Sequence, residues 1–521
     1  MSEQMLAAEN HLILIIVFIT LDLTSAVDYI RACVFNSEAG QRTNMAKFTI
    51  ADIDFDLCTH YIYSHASLDP VNRKVAAVDP SAETIPFGLY DQFNNAKRYF
   101  PKIRTLLTVG GPGETFNLLF KRLFMNDIDV HFFAHNAVEF MRDKRFNGIN
   151  IYWDAEPTSQ AKYIYTRLLR ALRIAIRTDV SSYTKLLLTI SAQAYVGYVS
   201  LVYDVPEIES LVDYVIVMAY MFKTPDVASF SAPLFASTHR KINSTLNVNA
   251  AVVYWNQQGL SYSKMLLGLS ARGNMLKLVN FKVERHPGAP ITSEAIEGKY
   301  YHFKNGLAYP EVCNRFVLAS RYYDSVQKIP YLVRGYEFIG YEDKRSLSEK
   351  LNYMQEKGLA GVAFNNMDED DFNASWCELG KFPLLSHMKQ TLVPPLTTPT
   401  PRTTPTRTDP AQPFPDPVTA PEEVTTPEAA TIPEYTGHFT YIPQTTLSEE
   451  EVNTTRVSKN YSRGNIVYQI DEEKGIQVHS AETGSHSLKV FIYGVMGFVV
   501  WSVLVTIVII VRRDTAQSGN R

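Results

Sequence analysis

Residues 146–154 constrain the fold of this chain more than any other stretch. They read Phe-Asn-Gly-Ile-Asn-Ile-Tyr-Trp-Asp, a pattern typical of a short buried strand entered through a glycine. Side chains alternate across a strand, so the apolar residues share one face and the polar residues the other: Ile149, Ile151 and Trp153 against Asn150, Tyr152 and Asp154. Barrel interiors normally hold branched aliphatic residues, and chemistry lies at the carboxyl ends of barrel strands. A polar face that ends in Asp154 therefore predicts a functional barrel strand; the alternative is a half-exposed antiparallel strand.

Seven further apolar segments of strand length accompany this one, at residues 29–35, 58–64, 103–109, 186–191, 212–219, 265–269 and 361–365. Helical periodicity is clear over residues 160–177 and 347–357. The first of these helices is predicted to place one set of side chains on a single side: Tyr163, Leu168, Leu169, Leu172 and Ile176. Strands that alternate with helices indicate parallel βα units, and eight of them predict a closed α/β barrel. Residues 272–340, between the last two strands, are rich in Tyr and Phe and too long for a structureless loop.

Apolar segments near both ends of the chain predict export and membrane anchoring. Residues 1–26 resemble a signal peptide whose apolar core is too short to span a bilayer; because no Lys or Arg precedes that core, an uncleaved or misassigned start is the alternative. Residues 490–511 are uncharged and strongly apolar, and as a helix they would reach about 33 Å, enough for the hydrocarbon core. Arg512 and Arg513 follow at once, so the tail 512–521 is predicted to be cytoplasmic. The sequence thus predicts a single-pass type I protein of the plasma membrane, with most of the chain extracellular.

The segment before that anchor has the composition of a stalk. Residues 393–435 are rich in Pro and Thr and cannot bury enough apolar surface to fold. Residues 436–487 are polar with little periodicity, so we predict a disordered, O-glycosylated stalk over residues 391–489. Four Asn-X-Ser/Thr sequons would be accessible to glycosylation on the secretory route: Asn243, Asn373, Asn453 and Asn460.

Composition argues against several classes of function. A net charge of −4 is too small to indicate a nucleic acid or an acidic partner. The histidines are scattered without metal-ligand spacing, and there is neither a Cys-rich zinc pattern nor a glycine loop for phosphate. We therefore predict no metal, no cofactor and no nucleic-acid partner. The four cysteines suit a secreted disulfide framework, and their spacing alone permits three pairings: Cys33, Cys58, Cys313 and Cys377.

Residues 146–154 also resemble the signature strand of the family 18 glycoside hydrolases, the chitinases and chitinase-like lectins. Phe146, Gly148, Trp153 and Pro157 match the frame of that pattern. The resemblance covers roughly residues 27–390 and implies a (β/α)8 TIM barrel with a small α+β insertion domain at residues 272–340. It also implies two disulfides, Cys33 with Cys58 between neighbouring strands and Cys313 with Cys377.

The acidic positions of the family pattern are altered in this chain. The resemblance implies that Asp154 stands where the family has its glutamate acid, and Tyr152 where an aspartate orients the acetamido group of the sugar. Asn150 replaces the next aspartate, Met221 another, and Asn365 the tryptophan beneath the sugar. Aspartate is one methylene shorter than glutamate, which withdraws the carboxyl by about 1.5 Å. Misplacement on that scale costs on the order of a hundredfold in rate.

We therefore expect a catalytically inactive chitinase-like ectodomain at the cell surface that binds chitin or N-acetylglucosamine-containing glycans. The candidate ligand-binding residues are Tyr220, Met218, Asp154, Tyr152 and Asn365. Two alternatives remain: a cell-surface scaffold for an unknown protein partner without sugar binding, and a weak residual chitinase. Pro112 and Asn365 weaken the case for sugar binding, because they stand where the family has aromatic residues. Glu156 could substitute as the acid, but a solvent-facing loop carboxylate is the favoured interpretation.

Overall fold

The computed structural model of the protein describes residues 28–182 and 184–393, together with residues 459–463, 466–471 and 475–480. The chain divides into two compact units, residues 1–404 and 405–521. The first unit contains a closed barrel and the second a small sheet.

Eight parallel strands form the barrel: β1 (Ile30–Asn36), β2 (His60–Asp69), β4 (Arg104–Gly111), β5 (Gly148–Trp153), β6 (Leu187–Gln193), β7 (Tyr214–Met218), β8 (Met265–Leu269) and β14 (Gly361–Phe364). Each strand pairs with the next one along the chain, and β14 also pairs with β1, so the sheet closes on itself. A short strand, β3 (Lys74–Ala76), pairs antiparallel with the end of β2. The predicted (β/α)8 barrel is confirmed.

Eleven helices lie in the described part of this unit: α1 (Pro80–Glu83), α2 (Leu89–Asn95), α3 (Glu114–Phe124), α4 (Asp127–Asp143), α5 (Ser159–Thr178), α6 (Val196–Val202), α7 (Val205–Leu211), α8 (Val248–Gln257), α9 (Tyr309–Asn314), α10 (Lys344–Lys357) and α11 (Pro383–Leu392). Trp153 shows how they cover the barrel. Its indole stacks between Phe120 of α3 and Tyr165 of α5, with ring centroids 5.1 and 5.7 Å away. The outward face predicted for residues 146–154 is therefore buried against helices.

The first residue of β5 must be a glycine for the sheet to close. A Cβ on Gly148 would lie 2.6 Å from the carbonyl oxygen of Leu187 on the neighbouring strand β6. No side chain fits that space without moving the backbone of β6. This close approach sets the register that places Asn150 opposite Thr108 and Thr189.

The long helix α5 begins where the Thr158 side chain accepts a hydrogen bond from the backbone N–H of Ala161. Its buried face includes most of the predicted side chains: Leu168, Leu169, Leu172 and Ile176. Tyr163 is the exception, since it is 58% exposed and lies under the guanidinium of Arg167, 4.9 Å from the ring centroid. The prediction for Tyr163 was wrong because Ile164, the next residue, occupies the buried position of that turn.

The insertion between β8 and β14 forms a separate antiparallel sheet. Its strands are β9 (Gly273–Lys277), β10 (Gly306–Leu307), β11 (Ser320–Asp324), β12 (Ile329–Arg334) and β13 (Glu337–Gly340), in the order β10-β9-β13-β12-β11. With α9 it makes the α+β insertion that the family resemblance implied. Cys313 of α9 is bonded to Cys377, with their Cα atoms 5.2 Å apart, and Cys33 of β1 is bonded to Cys58 just before β2. Both implied disulfide pairings are confirmed.

The second unit contains a three-stranded antiparallel sheet: β15 (Lys459–Arg463), β16 (Ile466–Asp471) and β17 (Gly475–Ser480). These strands lie inside residues 391–489, which were predicted to be disordered throughout, so that prediction is wrong for them. The apolar residues Ile466, Tyr468 and Ile470 recur at every second position, which is the period of a strand. This alternation was too short to stand out within a polar segment.

Several predicted segments lie outside the described residues: the signal peptide 1–26, the Pro/Thr-rich part of the stalk, the segment 490–511 and the tail 512–521. Within the part of the chain that the structure does describe, every helix is too short or too polar to cross a bilayer.

Candidate ligand-binding site at the carboxyl end of the barrel

Asn150 lies at the centre of a buried network of neutral groups inside the barrel. Its Nδ2 donates to Thr108 Oγ1 of β4 at 3.1 Å and to Ser191 Oγ of β6 at 3.0 Å. Its Oδ1 accepts a hydrogen bond of 2.9 Å from Thr189 Oγ1. Asn150 is only 1% exposed, and both ends of its amide have partners on the two flanking strands. A neutral amide is therefore fully accommodated where the family resemblance implies a carboxylate.

Tyr152 and Asp154 follow on the same face of β5 and lie nearer the mouth of the barrel. Both are half-buried, as the alternation predicted. Asp154 Oδ1 accepts a 2.9 Å hydrogen bond from Gln193 Nε2, and Oδ2 has no partner among the described residues. Burial raises the pKa of the Asp154 carboxyl, and the hydrogen bond from Gln193 offsets part of that rise. The Tyr152 hydroxyl has no hydrogen-bond partner within the described chain, and burial raises its pKa.

Gln193 is a residue of this site that the sequence reading missed. It is the last residue of β6, its N–H donates to Tyr203 Oη at 3.1 Å, and its carbonyl accepts from Trp255 Nε1 at 3.2 Å. These bonds hold the backbone while the side chain reaches Asp154. The alternation Thr189, Ser191, Gln193 was visible in the sequence and could have placed all three on the inner face.

Met218 and Tyr220, at the end of β7, belong to the hydrophobic cluster inside the barrel. Tyr220 is only 7% exposed, and its hydroxyl accepts a 2.8 Å hydrogen bond from Asn365 Nδ2. Asn365 thus links the carboxyl ends of β14 and β7, which lie on either side of β8. Little of the Tyr220 ring is therefore accessible, so this candidate ligand-binding residue is largely covered.

Aromatic groups remain at the rim between β2 and β4. Pro112 is exposed, and the ring of Phe116 packs against Gly111, within 2.8 Å of where a Cβ would be. Phe116 also meets the ring of His65 edge-on at 5.1 Å between centroids. An aromatic surface therefore lies next to the glycine turn, although Pro112 itself is not aromatic.

A rigid wall closes the side of the mouth formed by the insertion. Arg42 pairs with the buried Asp368 at 2.6 Å, and Arg272 pairs with the buried Glu369, with Nε 3.2 Å from its carboxylate. The ring of Phe303, from the insertion, lies beneath both guanidiniums, 5.8 Å from Arg42 and 3.6 Å from Arg272. These two ion pairs and the shared ring fix the insertion to the loops after β1, β8 and β14.

Other candidate residues lie apart from this site. The Glu156 side chain is 57% exposed and paired with Lys121, which agrees with the loop-carboxylate interpretation. Among the sequons, Asn243 is exposed and Asn373 half-buried; Asn453 lies outside the described residues, and Asn460 is in β15. No group of His, Cys, Asp or Glu in the described residues is arranged to hold a metal ion.

The closed barrel with its α+β insertion is accompanied by a family match over most of the same residues. The profile described as Glycosyl hydrolases family 18 matches residues 31–370, and the chain belongs to that family. Mouse chitotriosidase-1 is 31% identical over 378 residues, which cover 70% of this chain and 79% of that protein. Human chitinase-3-like protein 2 is 28% identical over 387 residues, covering 72% of this chain and 96% of that protein.

Solved structures of the family show the same fold. Human YKL-39, described as a pseudo-chitinase with retained chitooligosaccharide binding properties, matches with a TM-score of 0.65 and 28% identity. The match covers 70% of this chain and 99% of that one. The similar proteins thus include both chitinases and a pseudo-chitinase that binds chitooligosaccharides.

Proposed function

We propose that the carboxyl end of the barrel binds N-acetylglucosamine oligomers without hydrolysing them. One observation carries this proposal: the inner face of β5 holds the neutral, fully hydrogen-bonded network around Asn150, and Asp154, directly after the strand, is the one carboxylate that continues this face. Substrate-assisted hydrolysis develops positive charge on the sugar and needs a negative group to orient and stabilise it. Tyr152, in the place of that group, has a pKa raised by burial and remains neutral.

Asp154 alone does not restore the reaction. Its raised pKa suits a proton donor, which is the feature that favours the residual-chitinase alternative. Its carboxyl is nevertheless held by Gln193 on the β6 side, and the shorter side chain keeps it back from a bridging oxygen. A proton donor alone does not orient the sugar or stabilise the positive charge that develops on it, which is the role of the missing negative group.

Sugar binding is supported by the groups that remain accessible at the mouth. The Tyr152 hydroxyl and Asp154 Oδ2 have no partner in the described chain, and both half-buried side chains are near the carboxyl end of the barrel, where they could bond the hydroxyl and amide groups of a sugar. Phe116 and His65, whose rings meet edge-on, supply aromatic contact area at the rim. The chitooligosaccharide binding stated for the pseudo-chitinase YKL-39 supports the same use of this fold.

We further propose that this barrel is displayed outside the cell. The support is in the sequence: the apolar segment 490–511, the arginines that follow it and the Pro/Thr-rich stretch before it. Protease treatment of intact cells tests the topology, since an antibody epitope on the barrel should be lost while one on residues 512–521 is protected.

Two measurements on the purified protein test binding and catalysis separately. Calorimetry with chitohexaose should show saturable binding that Asp154→Ala weakens, and a fluorogenic chitobioside should not be turned over. Turnover abolished by Asp154→Ala would establish the residual chitinase instead. No response to any glycan on an array would favour the protein scaffold.

A further inference from the structure

A cavity of about 770 Å³ opens at the amino end of the barrel, opposite the site described above. Its lining includes residues at the first or second positions of barrel strands, among them Arg31, His60, Arg104 and Tyr214. His60 and Arg104 lie two residues before Ile62 and Leu106, which belong to the cluster inside the barrel, so alternation turns them toward the barrel axis. The volume falls within the range of small-molecule sites.

The charges around this cavity do not cancel. Arg104 and Lys102 are exposed, and neither forms an ion pair or side-chain hydrogen bond with any described residue. Of the two carboxylates in the lining, Asp56 is engaged by Lys389 and Asp28 lies 3.9 Å from Arg31. Arg104 and Lys102 therefore have no countercharge in the described chain, and Lys185 of the same lining bonds only backbone carbonyls.

The pKa of the His60 imidazole is affected by the same positive charges. Its Nδ1 lies 2.9 Å from Thr59 Oγ1, and Nε2 has no partner among the described residues. Burial, followed by the charges of Arg104 and Arg31, lowers the pKa of His60 to about 4, against a smaller opposing effect of Asp28. The ring is thus neutral at physiological pH, and the field at the cavity favours an incoming anion.

Aromatic rings form another side of the same cavity. Phe55 and Phe100 lie 6.1 Å apart between centroids, and the neighbouring Tyr99 is 82% exposed. The flat ring of a ligand placed there would gain apolar contact and lie beside the guanidinium of Arg104. The amino end of a barrel is ordinarily a stabilising face, and exposed rings next to uncompensated cations are not needed for stability.

We propose that this cavity binds a small aryl anion, a compact molecule in which a flat ring carries one sulfate, phosphate or carboxylate group. The anionic group lies at Arg104 and Lys102, and the ring lies against Tyr99 and Phe100. The proposal does not rest on the sugar site, since the two sites share no residue.

The test uses the full-length protein in detergent, with para-nitrophenyl sulfate as the probe and calorimetry as the readout. Arg104→Gln should weaken binding about tenfold, the size expected for loss of a charge-assisted hydrogen bond. Arg98→Gln is the matched control, because Arg98 is exposed nearby but does not line the cavity, and it should leave the affinity unchanged. Equal losses in both variants, or none in Arg104→Gln, would overturn the proposal.

Two further arms define the ligand class. Tyr99→Ala should weaken the binding of the aryl sulfate but not the binding of inorganic sulfate, because only the aryl sulfate has a ring that contacts Tyr99. If the affinities of both fell equally, the aromatic part of the proposal would be wrong. Para-nitrophenyl phosphate and para-nitrobenzoate identify which anionic group binds best, and failure of all three aryl anions would reject the site. Saturating chitohexaose should not displace the probe, which keeps this result independent of the sugar site.

Discussion

The two ends of the barrel are formed by the same strands but differ in whether their polar and charged side chains have partners. At the carboxyl end, neutral amides and hydroxyls occupy the inner face of β5, and Asp154 is its one carboxylate. At the amino end, Arg104 and Lys102 remain without partners beside a cavity. At the first end, the Asn150 amide is satisfied by both flanking strands, and the charged groups of the rim are paired with one another. The comparison shows that polar groups at the carboxyl end are paired by packing between neighbouring strands and loops, whereas Arg104 and Lys102 at the amino end border a space that no described residue fills.

The largest expected effect comes from returning a carboxylate to the neutral network. Asn150→Asp places an acid at a position 1% exposed, where burial should raise its folded-state pKa well above the unfolded value. The variant should therefore be close to wild type below pH 4 and lose about 3 kcal/mol of unfolding free energy as pH rises to neutrality. Urea unfolding at several pH values measures this.

Asn280→Asp is the control for that substitution, because Asn280 is exposed and its side chain accepts only a local backbone hydrogen bond. Its stability should not change with pH relative to wild type. If Asn150→Asp behaved in the same way, the hydroxyl network would be able to accept a charge, and the contrast between the two ends would fail.

The next effect concerns the positive field at the amino end. Arg104→Gln removes one of the two arginines that, after burial, lower the pKa of His60, so this pKa should rise above about 4. A histidine with a lowered folded-state pKa costs stability as pH falls below its ordinary value near 6.5, so the variant should lose less stability on acidification. A nuclear magnetic resonance titration of the His60 ring measures this pKa. Arg98→Gln is the control and should leave the pKa of His60 unchanged. An unchanged titration in Arg104→Gln would show that the charge of Arg104 does not lower the pKa of His60.

A smaller effect is expected for the sugar contact of Tyr152. Tyr152→Phe removes a hydroxyl that has no partner in the described chain, so unfolding should be unaffected while chitohexaose binding weakens by about 1 kcal/mol. Tyr353→Phe is the control, since that hydroxyl bonds Asn249 on the outer helices. Its affinity for chitohexaose should match wild type. Equal affinity of Tyr152→Phe and wild type would show that the ring, not the hydroxyl, faces the ligand.

The smallest effect is predicted for the exposed pair of Glu156 and Lys121. Glu156→Gln should change the unfolding free energy by less than about 1 kcal/mol and leave chitohexaose affinity unchanged, because both side chains are substantially solvated. A large loss of binding would place Glu156 in the site and reverse the loop interpretation.

Much of this architecture could be predicted from local patterns. Each barrel strand lies within a few residues of its predicted segment, because apolar runs bounded by turns are a local signal. The inward direction of Asn150, Tyr152 and Asp154 followed from alternation alone. The partners of Asn150 could not be read in this way, since Thr108, Thr189 and Ser191 come from distant parts of the chain and meet only through sheet register.

The sites that were missed or changed have specific physical causes. The amino-end cavity escaped notice because Arg31, His60 and Arg104 are far apart in sequence and form no motif. The accessibility of Tyr220 was overestimated because its bond to Asn365 joins the ends of β7 and β14, which are far apart in sequence and meet beside β8 only in the folded barrel. In both cases the outcome depended on contacts between residues distant in sequence, and no single segment of the sequence reveals such contacts.

The clamp formed by Arg42, Phe303 and Arg272 determines how a ligand would arrive at the carboxyl end. Opening that wall would separate two ion pairs whose carboxylates are sheltered from water, at a cost that thermal motion rarely meets. A ligand would therefore meet this side of the rim already assembled, because Phe303 and both arginines are held in place before anything binds.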